Sequence, residues 1–124
     1  MKRLLLTLFL LLNSLYAMEW MSYDEAITKA KQEDKVVMVM LGRTTCGVCN
    51  YMKKVVFHDK KVIKKLDAKF ISVYVELDFD DIPNGFTYVG TPTFYFVDKN
   101  QKVLSRFDGG KTVPSFLTAL SEVD

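Results

Sequence analysis

The chain has few of the residues that build disulfide scaffolds and metal sites, with two cysteines, Cys46 and Cys49, and one histidine, His58. A small exported domain held together by disulfides normally has more cysteines at wider spacing. A bridge between Cys46 and Cys49 would close too small a loop to stabilise the fold much. These three residues are also fewer than the about four ligands of a closed zinc site. The cysteine pair therefore indicates chemistry rather than structural support.

The sequence also lacks an apolar run long enough to span a bilayer, which needs roughly 20 residues. Its most apolar stretch, residues 4–12, follows the basic pair Lys2-Arg3 and precedes a polar run that ends at Ala17. This order is typical of a cleavable secretory signal peptide, with a retained membrane anchor as the alternative. We predict a signal peptide over residues 1–17 and a single domain over residues 18–124.

An excess of one charge is absent as well. Basic side chains outnumber acidic ones by 17 to 15, and loss of Lys2 and Arg3 with the leader makes the two counts equal. A neutral domain gives no support for a nucleic-acid partner. In contrast, 49% of the residues are hydrophobic and 13% are aromatic. This composition excludes disorder and indicates a globular domain.

Helix-capping residues precede several segments of helical periodicity. Ser22 begins a capping box, and Asp59 and Thr112 each precede a further amphipathic segment. Another helix is predicted to begin at Cys46. The inward stripe expected for that helix consists of Val48, Met52 and Val55.

Runs of apolar and β-branched residues predict the strands. Residues 36–41 and 70–76 are continuous enough to be inner strands of a parallel or mixed sheet. Residues 93–97 and 102–106 flank a turn and predict an antiparallel hairpin. Residues 77–90 hold acidic and turn-forming clusters, which predict a loop or a broken short helix. We therefore expect an α/β fold, with a central mixed β-sheet flanked by helices.

The cysteine pair lies where the predicted strand over residues 36–41 leads into a helix. The first turn of a helix has unpaired N–H groups and the positive end of the helix dipole, which favour a thiolate at Cys46. Cys49 lies three residues further along the same helix, so its sulfur can reach that of Cys46 from the interior side. This arrangement indicates thiol–disulfide exchange. Cys46 would attack a partner's disulfide, and Cys49 would release the product.

Together these features resemble the thioredoxin superfamily. The most similar members are small bacterial periplasmic proteins related to the thioredoxin-7 group and to the C-terminal domain of the transmembrane thiol:disulfide interchange protein. The residues that carry the resemblance are Glu25-Ala26, Lys29-Ala30 and Lys35, the run over residues 36–41, Cys46-Gly47-Val48-Cys49, and Gly90-Thr91-Pro92-Thr93. The resemblance implies a thioredoxin-like fold and a periplasmic thiol–disulfide oxidoreductase, with Cys46 and Cys49 as catalytic residues.

The resemblance also implies a substrate-binding role for Thr91 and Pro92. In this family the proline follows a cis peptide bond and packs opposite the disulfide, which leaves the backbone of Thr91 free to pair with an extended substrate. Alternatively, Pro92 only begins an edge strand. The implied partners are thiols and disulfides of exported proteins, together with a membrane thiol–disulfide electron donor or acceptor. Neither a cofactor nor a nucleic acid is expected.

Several positions depart from the family pattern. Thioredoxins carry a tryptophan directly before the first cysteine and a buried aspartate six residues before it, where this chain has Thr45 and Met40. The missing carboxylate leaves Cys49 without an obvious base, unless Glu76 replaces it; a solvated strand end is the alternative for Glu76. The dipeptide Gly47-Val48 lacks the histidine of strongly oxidising relatives and the proline of thioredoxin. We therefore favour a reductase or isomerase-feeding role.

Two other functions remain open at this point. Thiolates and thioethers favour Cu(I), so the cysteines with Met38, Met40 and Met52 suggest a Cu(I)-binding or Cu(I)-delivery protein. However, the predicted positions of these methionines make them core residues first. The other alternative is a binding module whose disulfide is an evolutionary remainder. Arg43 is the charged side chain expected near Cys46, facing either a partner or solvent.

Overall fold

A five-stranded mixed sheet with four α-helices forms the fold in the computed structural model, which describes residues 18–124. The predicted signal peptide, residues 1–17, lies outside the described residues. The strands are β1 (Trp20–Met21), β2 (Val36–Gly42), β3 (Phe70–Glu76), β4 (Thr93–Val97) and β5 (Val103–Asp108). The helices are α1 (Tyr23–Glu33), α2 (Gly47–Lys54), α3 (Lys60–Lys69) and α4 (Val113–Ser121), and a 3₁₀ turn (Val56–His58) lies between α2 and α3. Within residues 18–124, none of the helices is long and apolar enough to cross a membrane.

The strands follow the order β1-β3-β2-β4-β5 across the sheet. β3 pairs in parallel with both β1 and β2, whereas β4 runs antiparallel to β2 and to β5. All residues of β2 except Val36 are buried, as expected for a continuous apolar run in the middle of a sheet. The predicted α/β fold with a central mixed sheet is therefore confirmed.

The sheet separates two apolar cores. Val37, Val39 and Leu41 of β2 face the core beneath α1. Met38 and Met40 face the opposite core, to which α2, α3 and α4 contribute. This alternation follows from the two-residue period of a strand. The helices therefore cover both faces of the sheet.

The three predicted caps are confirmed. The side-chain oxygen of Ser22 accepts the backbone N–H of Glu25 at 3.4 Å, and that of Thr112 accepts the N–H of Ser115 at 3.4 Å. Asp59 Oδ1 accepts the N–H groups of Lys61 and Val62 at 3.0 and 3.1 Å. Each cap satisfies donors that the first turn of a helix leaves unpaired.

The structure corrects the predicted inner face of α2. Val48 and Val55 are about half exposed, with 48% and 47% of their surface accessible. Met52 is buried as predicted, but its buried neighbours along the chain are Cys49 and Val56. Both sets satisfy helical spacing, and in the structure it is the second set that faces inward. Val48 and Val55 were therefore the wrong choice for the core.

The remaining differences lie at the ends of elements. The edge strand β1 was not predicted, because two residues are too short to show a periodic pattern. β5 begins at Val103 and ends at Asp108, whereas residues 102–106 were predicted. Residues 77–90 contain no helix or strand, which confirms the loop.

Phe57 in the 3₁₀ turn connects the helices to the sheet. Its ring makes edge contacts with Trp20, Phe94 and Phe116, with ring centroids 5.3, 6.3 and 5.4 Å away. Phe57 is 2% exposed. Such pairs add to the hydrophobic free energy of burial. This one ring thus joins the segment after α2 to β1, β4 and α4.

We predict that Phe57→Ala lowers the free energy of unfolding by about 3–5 kcal/mol, because it removes a buried ring and leaves a cavity. Urea denaturation followed by circular dichroism measures this loss. Phe79→Ala is the matched control, because Phe79 is 85% exposed. Equal losses for the two variants would show that Phe57 does not support the core.

Candidate active site

The disulfide between Cys46 and Cys49 lies at the N-terminus of α2, which follows β2 after a short loop. Cys46 is the N-cap residue of this helix, and the backbone N–H of Cys49 is directed at its Sγ at 3.1 Å. Cys46 is half-buried and Cys49 is fully buried. A partner can therefore reach Cys46 first, and in the reduced protein the same N–H group would stabilise a thiolate at Cys46.

The loop that precedes β4 brings Thr91 and Pro92 to this disulfide. The Thr91-Pro92 peptide bond is cis. The carbonyl oxygen of Thr91 lies 3.6 Å from Cys46 Sγ. The carbonyl of Pro92 accepts the backbone N–H of Gly109 at 2.8 Å, and Thr93 Oγ1 donates to the carbonyl of Gly90 at 2.9 Å. The loop is thus fixed on both sides of the proline.

The structure brings all four predicted site residues together, namely Cys46, Cys49, Thr91 and Pro92. The alternative that Pro92 only begins an edge strand is wrong, because β4 lies between β2 and β5 and is not an edge strand. Thr91 offers backbone groups next to the sulfur that a partner reaches first. This placement suits the binding of an extended peptide beside Cys46.

The buried sulfur of Cys49 has an apolar and aromatic environment. Gly42, the last residue of β2, lies against it: a Cβ atom added there would be 3.3 Å from Cys49 Sγ and 3.0 Å from Tyr74 Cε2. A side chain at position 42 would require Tyr74 or Cys49 to shift by a few tenths of an ångström. Met40 is fully buried and brings no charge to this region. Tyr74, which sequence reasoning missed, thus shares the space beside Gly42 with the sulfur of Cys49.

The carboxylate of Glu76 is occupied by hydrogen bonds. It accepts the hydroxyl of Tyr74 at 2.8 Å, the hydroxyl of Thr44 at 3.1 Å and the backbone N–H of Thr44 at 3.2 Å. Desolvation raises the pKa of the Glu76 carboxyl, but these hydrogen bonds outweigh it and hold the pKa below its usual value. Glu76 is therefore neither a simple solvated strand end nor, among the hydrogen bonds of residues 18–124, a partner of a sulfur.

Tyr74 and Lys53 complete the polar group next to Glu76. Burial raises the pKa of the Tyr74 hydroxyl well above its usual value, and the hydrogen bond to Glu76 raises it further. The ammonium group of Lys53 lies 3.4 Å from the centre of the Tyr74 ring, which is a cation–π contact. Desolvation lowers the pKa of Lys53, while the charge of Glu76 opposes that shift. Tyr74 thus lies between the carboxylate of Glu76 and the ammonium group of Lys53 and contacts both.

The side chain of Arg43 is bound by residues of the loop over residues 77–90. It forms an ion pair with Asp78, and its Nη2 donates to the Tyr88 hydroxyl at 3.2 Å. Its guanidinium also lies 5.7 Å from the centre of the Tyr88 ring. Asp78 and Tyr88 belong to opposite ends of the loop over residues 77–90. Arg43 therefore ties this loop to the chain just before Cys46.

Two exposed apolar side chains lie next to the site residues in the chain. Val48 lies between the two cysteines and is 48% exposed, and Val89, two residues before Thr91, is 95% exposed. Gly110 adjoins Val48, since a Cβ atom added to Gly110 would lie 2.6 Å from a methyl carbon of Val48. Three chain segments thus form an apolar rim at the site. We name Val48, Val89 and Gly110 the apolar rim.

The residues considered for metal binding are separated. Within residues 18–124, no group of three or more His, Cys, Asp or Glu side chains is placed to hold a metal ion. His58 is exposed, whereas Met38 and Met40 are core residues of β2. The sulfur of Met52 accepts the backbone N–H of Lys111 at 3.4 Å. The Cu(I) alternative would therefore rest on the two cysteines.

Comparison with known proteins agrees with this geometry. Residues 23–124 match the family of the thioredoxin-like domain. A thioredoxin from Thermus thermophilus is 30% identical in sequence, with 86% of this chain and 87% of that one superposed at a TM-score of 0.73. A candidate disulphide isomerase from Bacteroides thetaiotaomicron is 26% identical, with coverages of 85% and 89% and a TM-score of 0.72.

More distant similarities cover the fold or part of the chain. The DsbH oxidoreductase shares the fold at 19% identity, with 87% of each chain superposed and a TM-score of 0.69. Spermatogenesis-associated protein 20 of Mus musculus is 30% identical over 69 residues, which are 55% of this chain. The chain spans 9% of the length of that relative. The matched family and the Cys46–Cys49 disulfide show that the chain belongs to the thioredoxin-like family, with the dithiol pair of a thiol–disulfide oxidoreductase.

Proposed function

We propose that the protein is a periplasmic oxidoreductase that reduces disulfides of other exported proteins. The observation that carries this proposal is the disulfide between half-buried Cys46 and fully buried Cys49 at a helix N-terminus. That placement gives the two sulfurs different accessibility and different electrostatic surroundings. One sulfur can attack a partner, and the other can attack only within the protein.

The reaction begins from the reduced protein. The thiolate of Cys46 attacks one sulfur of a substrate disulfide, and the other substrate sulfur leaves as a thiolate that takes up a proton. The thiol of Cys49 then loses its proton and attacks the sulfur of Cys46 in the mixed disulfide. This second step releases the second substrate thiol and forms the Cys46–Cys49 disulfide. Two electrons pass from the protein to the substrate.

Substrate binding is proposed at the apolar rim and at Thr91. An extended segment that pairs with the backbone of Thr91 would pass close to Cys46 Sγ, since the Thr91 carbonyl lies 3.6 Å from that sulfur. The apolar rim would bury side chains of the substrate, as exposed apolar patches often do. Pairing with the backbone of Thr91 does not depend on which side chains the substrate carries. The substrates proposed are therefore disulfides in extended or unfolded segments of exported proteins.

The reducing direction is supported by the charges around Cys46. Strong oxidants stabilise the thiolate with a nearby cation, which destabilises the disulfide. Here Gly47 and Val48 between the cysteines are uncharged, and the nearby Arg43 is paired with Asp78. Neither feature supplies an unpaired cation that would stabilise the thiolate, which favours the disulfide, as a reductase requires.

The proposed location rests on the order of residues 1–17, a basic pair followed by an apolar run and a small residue. A periplasmic reductase must be reduced again after each cycle. We propose a membrane protein with a dithiol as the electron donor, because the cytoplasmic reductant pools lie across the inner membrane.

Substitution of each cysteine separates the two chemical steps. We predict that Cys46→Ser abolishes insulin reduction in the presence of dithiothreitol, because no accessible nucleophile remains. Cys49→Ser should still attack but accumulate mixed disulfides, which mass spectrometry detects. His58→Ala is the control, since His58 is exposed and outside the site. Full activity of Cys46→Ser would assign the nucleophile to another residue.

The reduction potential tests the direction. We predict a value for the Cys46–Cys49 pair closer to the about −270 mV of thioredoxins than to the about −120 mV of dedicated oxidants. Equilibration with glutathione or dithiothreitol buffers, followed by alkylation and mass spectrometry, measures it. A value near that of the oxidants would reverse the proposed direction while leaving the exchange chemistry in place.

The location is tested with the full chain in a Gram-negative host. We predict a periplasmic product that begins at Met18, as shown by intact mass after fractionation. Leu8→Arg should retain the uncleaved precursor in the cytoplasm, because a charge interrupts the apolar run. Leu8→Ile keeps the run apolar and should be exported. An uncleaved, membrane-bound wild-type product would instead favour the anchor.

A further inference from the structure

The loop before Cys46 is held by side chains at all three polar groups of Thr44. Its backbone N–H and its hydroxyl both donate to the carboxylate of Glu76, at 3.2 and 3.1 Å. Its carbonyl oxygen accepts Nδ2 of Asn50 in α2 at 3.1 Å. Thr44 itself is exposed to solvent. An exposed loop residue is thus tied both to the end of β3 and to the helix that carries the cysteines.

Glu76 is in turn fixed from several sides. Its carboxylate accepts the Tyr74 hydroxyl at 2.8 Å, and its backbone N–H donates to Asp80 Oδ2 at 2.8 Å. The ammonium group of Lys53, in α2, lies over the ring of Tyr74, whose hydroxyl donates to Glu76. The charged groups around Glu76 are therefore Lys53 on one element and Asp78 and Asp80 on the loop that follows β3. Hydrogen bonds to a carboxylate are stronger than those between neutral groups.

We propose that Glu76 is a positioning residue that clamps Thr44 and thereby fixes the sulfur of Cys46, and that it is not the proton acceptor of Cys49. This inference rests on the proposed function. Both carboxylate oxygens already accept hydrogen bonds from Thr44 or Tyr74. Among the hydrogen bonds of residues 18–124, none joins Glu76 to either sulfur.

The clamp matters because disulfide exchange needs the attacking sulfur in line with the bond that it breaks. Small displacements of a reacting group lower the rate steeply. Thr45, between Thr44 and Cys46, is exposed, so it does not hold the loop by packing. Cys46 N–H donates to the carbonyl of Arg43 at 3.2 Å, which transmits the position of the loop to the cysteine.

The acidity of Glu76 agrees with this role. The carboxylate form is the one that accepts both groups of Thr44, and a pKa below the usual value keeps this form present through neutral and mildly acid pH. The clamp should therefore weaken only when the pH falls below the usual range of glutamate. A base that exchanges protons with a thiol near neutral pH would need a raised pKa instead.

The test compares Glu76→Ala, Glu76→Gln and Asp81→Ala. The reduced proteins react with an excess of an aromatic disulfide between pH 5 and 9, and the released chromophore gives the rate of attack by Cys46. We expect Glu76→Ala to slow the attack about tenfold. Glu76→Gln should stay within about twofold of wild type, because its amide oxygen still accepts the N–H of Thr44. Asp81→Ala removes a nearby exposed carboxylate outside these contacts and should also stay within about twofold.

A second measurement follows the clamp without catalysis. Hydrogen–deuterium exchange at the Thr44 amide should become at least about tenfold faster in Glu76→Ala and remain close to wild type in Glu76→Gln. If Glu76→Ala does not fold, Thr44→Val tests the same contact from the other side. It removes the hydroxyl donor and should slow the attack by about threefold.

The outcomes separate this inference from the proposed function. Equal, slow rates for Glu76→Gln and Glu76→Ala would overturn the inference, because the carboxylate charge or its proton would then matter. Unchanged Thr44 exchange in Glu76→Ala would overturn it as well. A wild-type protein that attacks no disulfide, but whose Thr44 exchange depends on Glu76, would overturn the proposed function and support the clamp.

Discussion

Strand β2 is buried on both faces, and the position of the disulfide depends on that burial. Its side chains alternate between the two cores, so a shift by one residue would move every apolar side chain to the wrong side. β2 also pairs with β3 from Val36 to Gly42, which fixes where the strand ends. The cysteines follow within a few residues. Their location is thus set by the central strand, and the short loop between β2 and α2 only refines it.

The surroundings of the two sulfurs differ in a way that follows from the same register. Met40 pairs with Tyr74 of β3, and neither residue of this pair has a carboxylate. Gly42 pairs with Glu76, which brings a carboxylate to the end of the strands and next to the exposed loop. The carboxylate of Glu76 therefore lies at the end of the strands beside the loop, and not in the core. There it accepts hydrogen bonds from Thr44 and Tyr74, and the core beside Cys49 is spared the free-energy cost of a buried ion.

Much of the fold could be predicted from local patterns, and the errors have specific causes. The caps Ser22, Asp59 and Thr112 act within one helical turn, so their sequence pattern is sufficient. The face of α2 was wrong, because Val48 and Cys49 both begin a stripe with helical spacing. Phe57 was overlooked because an isolated aromatic residue before a polar helix start shows no period. Its importance arises only where α4, β1 and β4 meet.

The sequence by itself determined the order of the helices and of strands β2 to β5, the cysteine pair at the start of α2 and the proline before β4. Only the tertiary structure decided what surrounds that dithiol. Cys46 meets Thr91 across 45 positions of chain, and Thr44 meets Glu76 across 32. The pairing of Arg43 with Asp78 and Tyr88 is of the same kind. Such contacts depend on strand register and loop closure, and a local hydrophobic period carries no information about which distant polar side chains will meet.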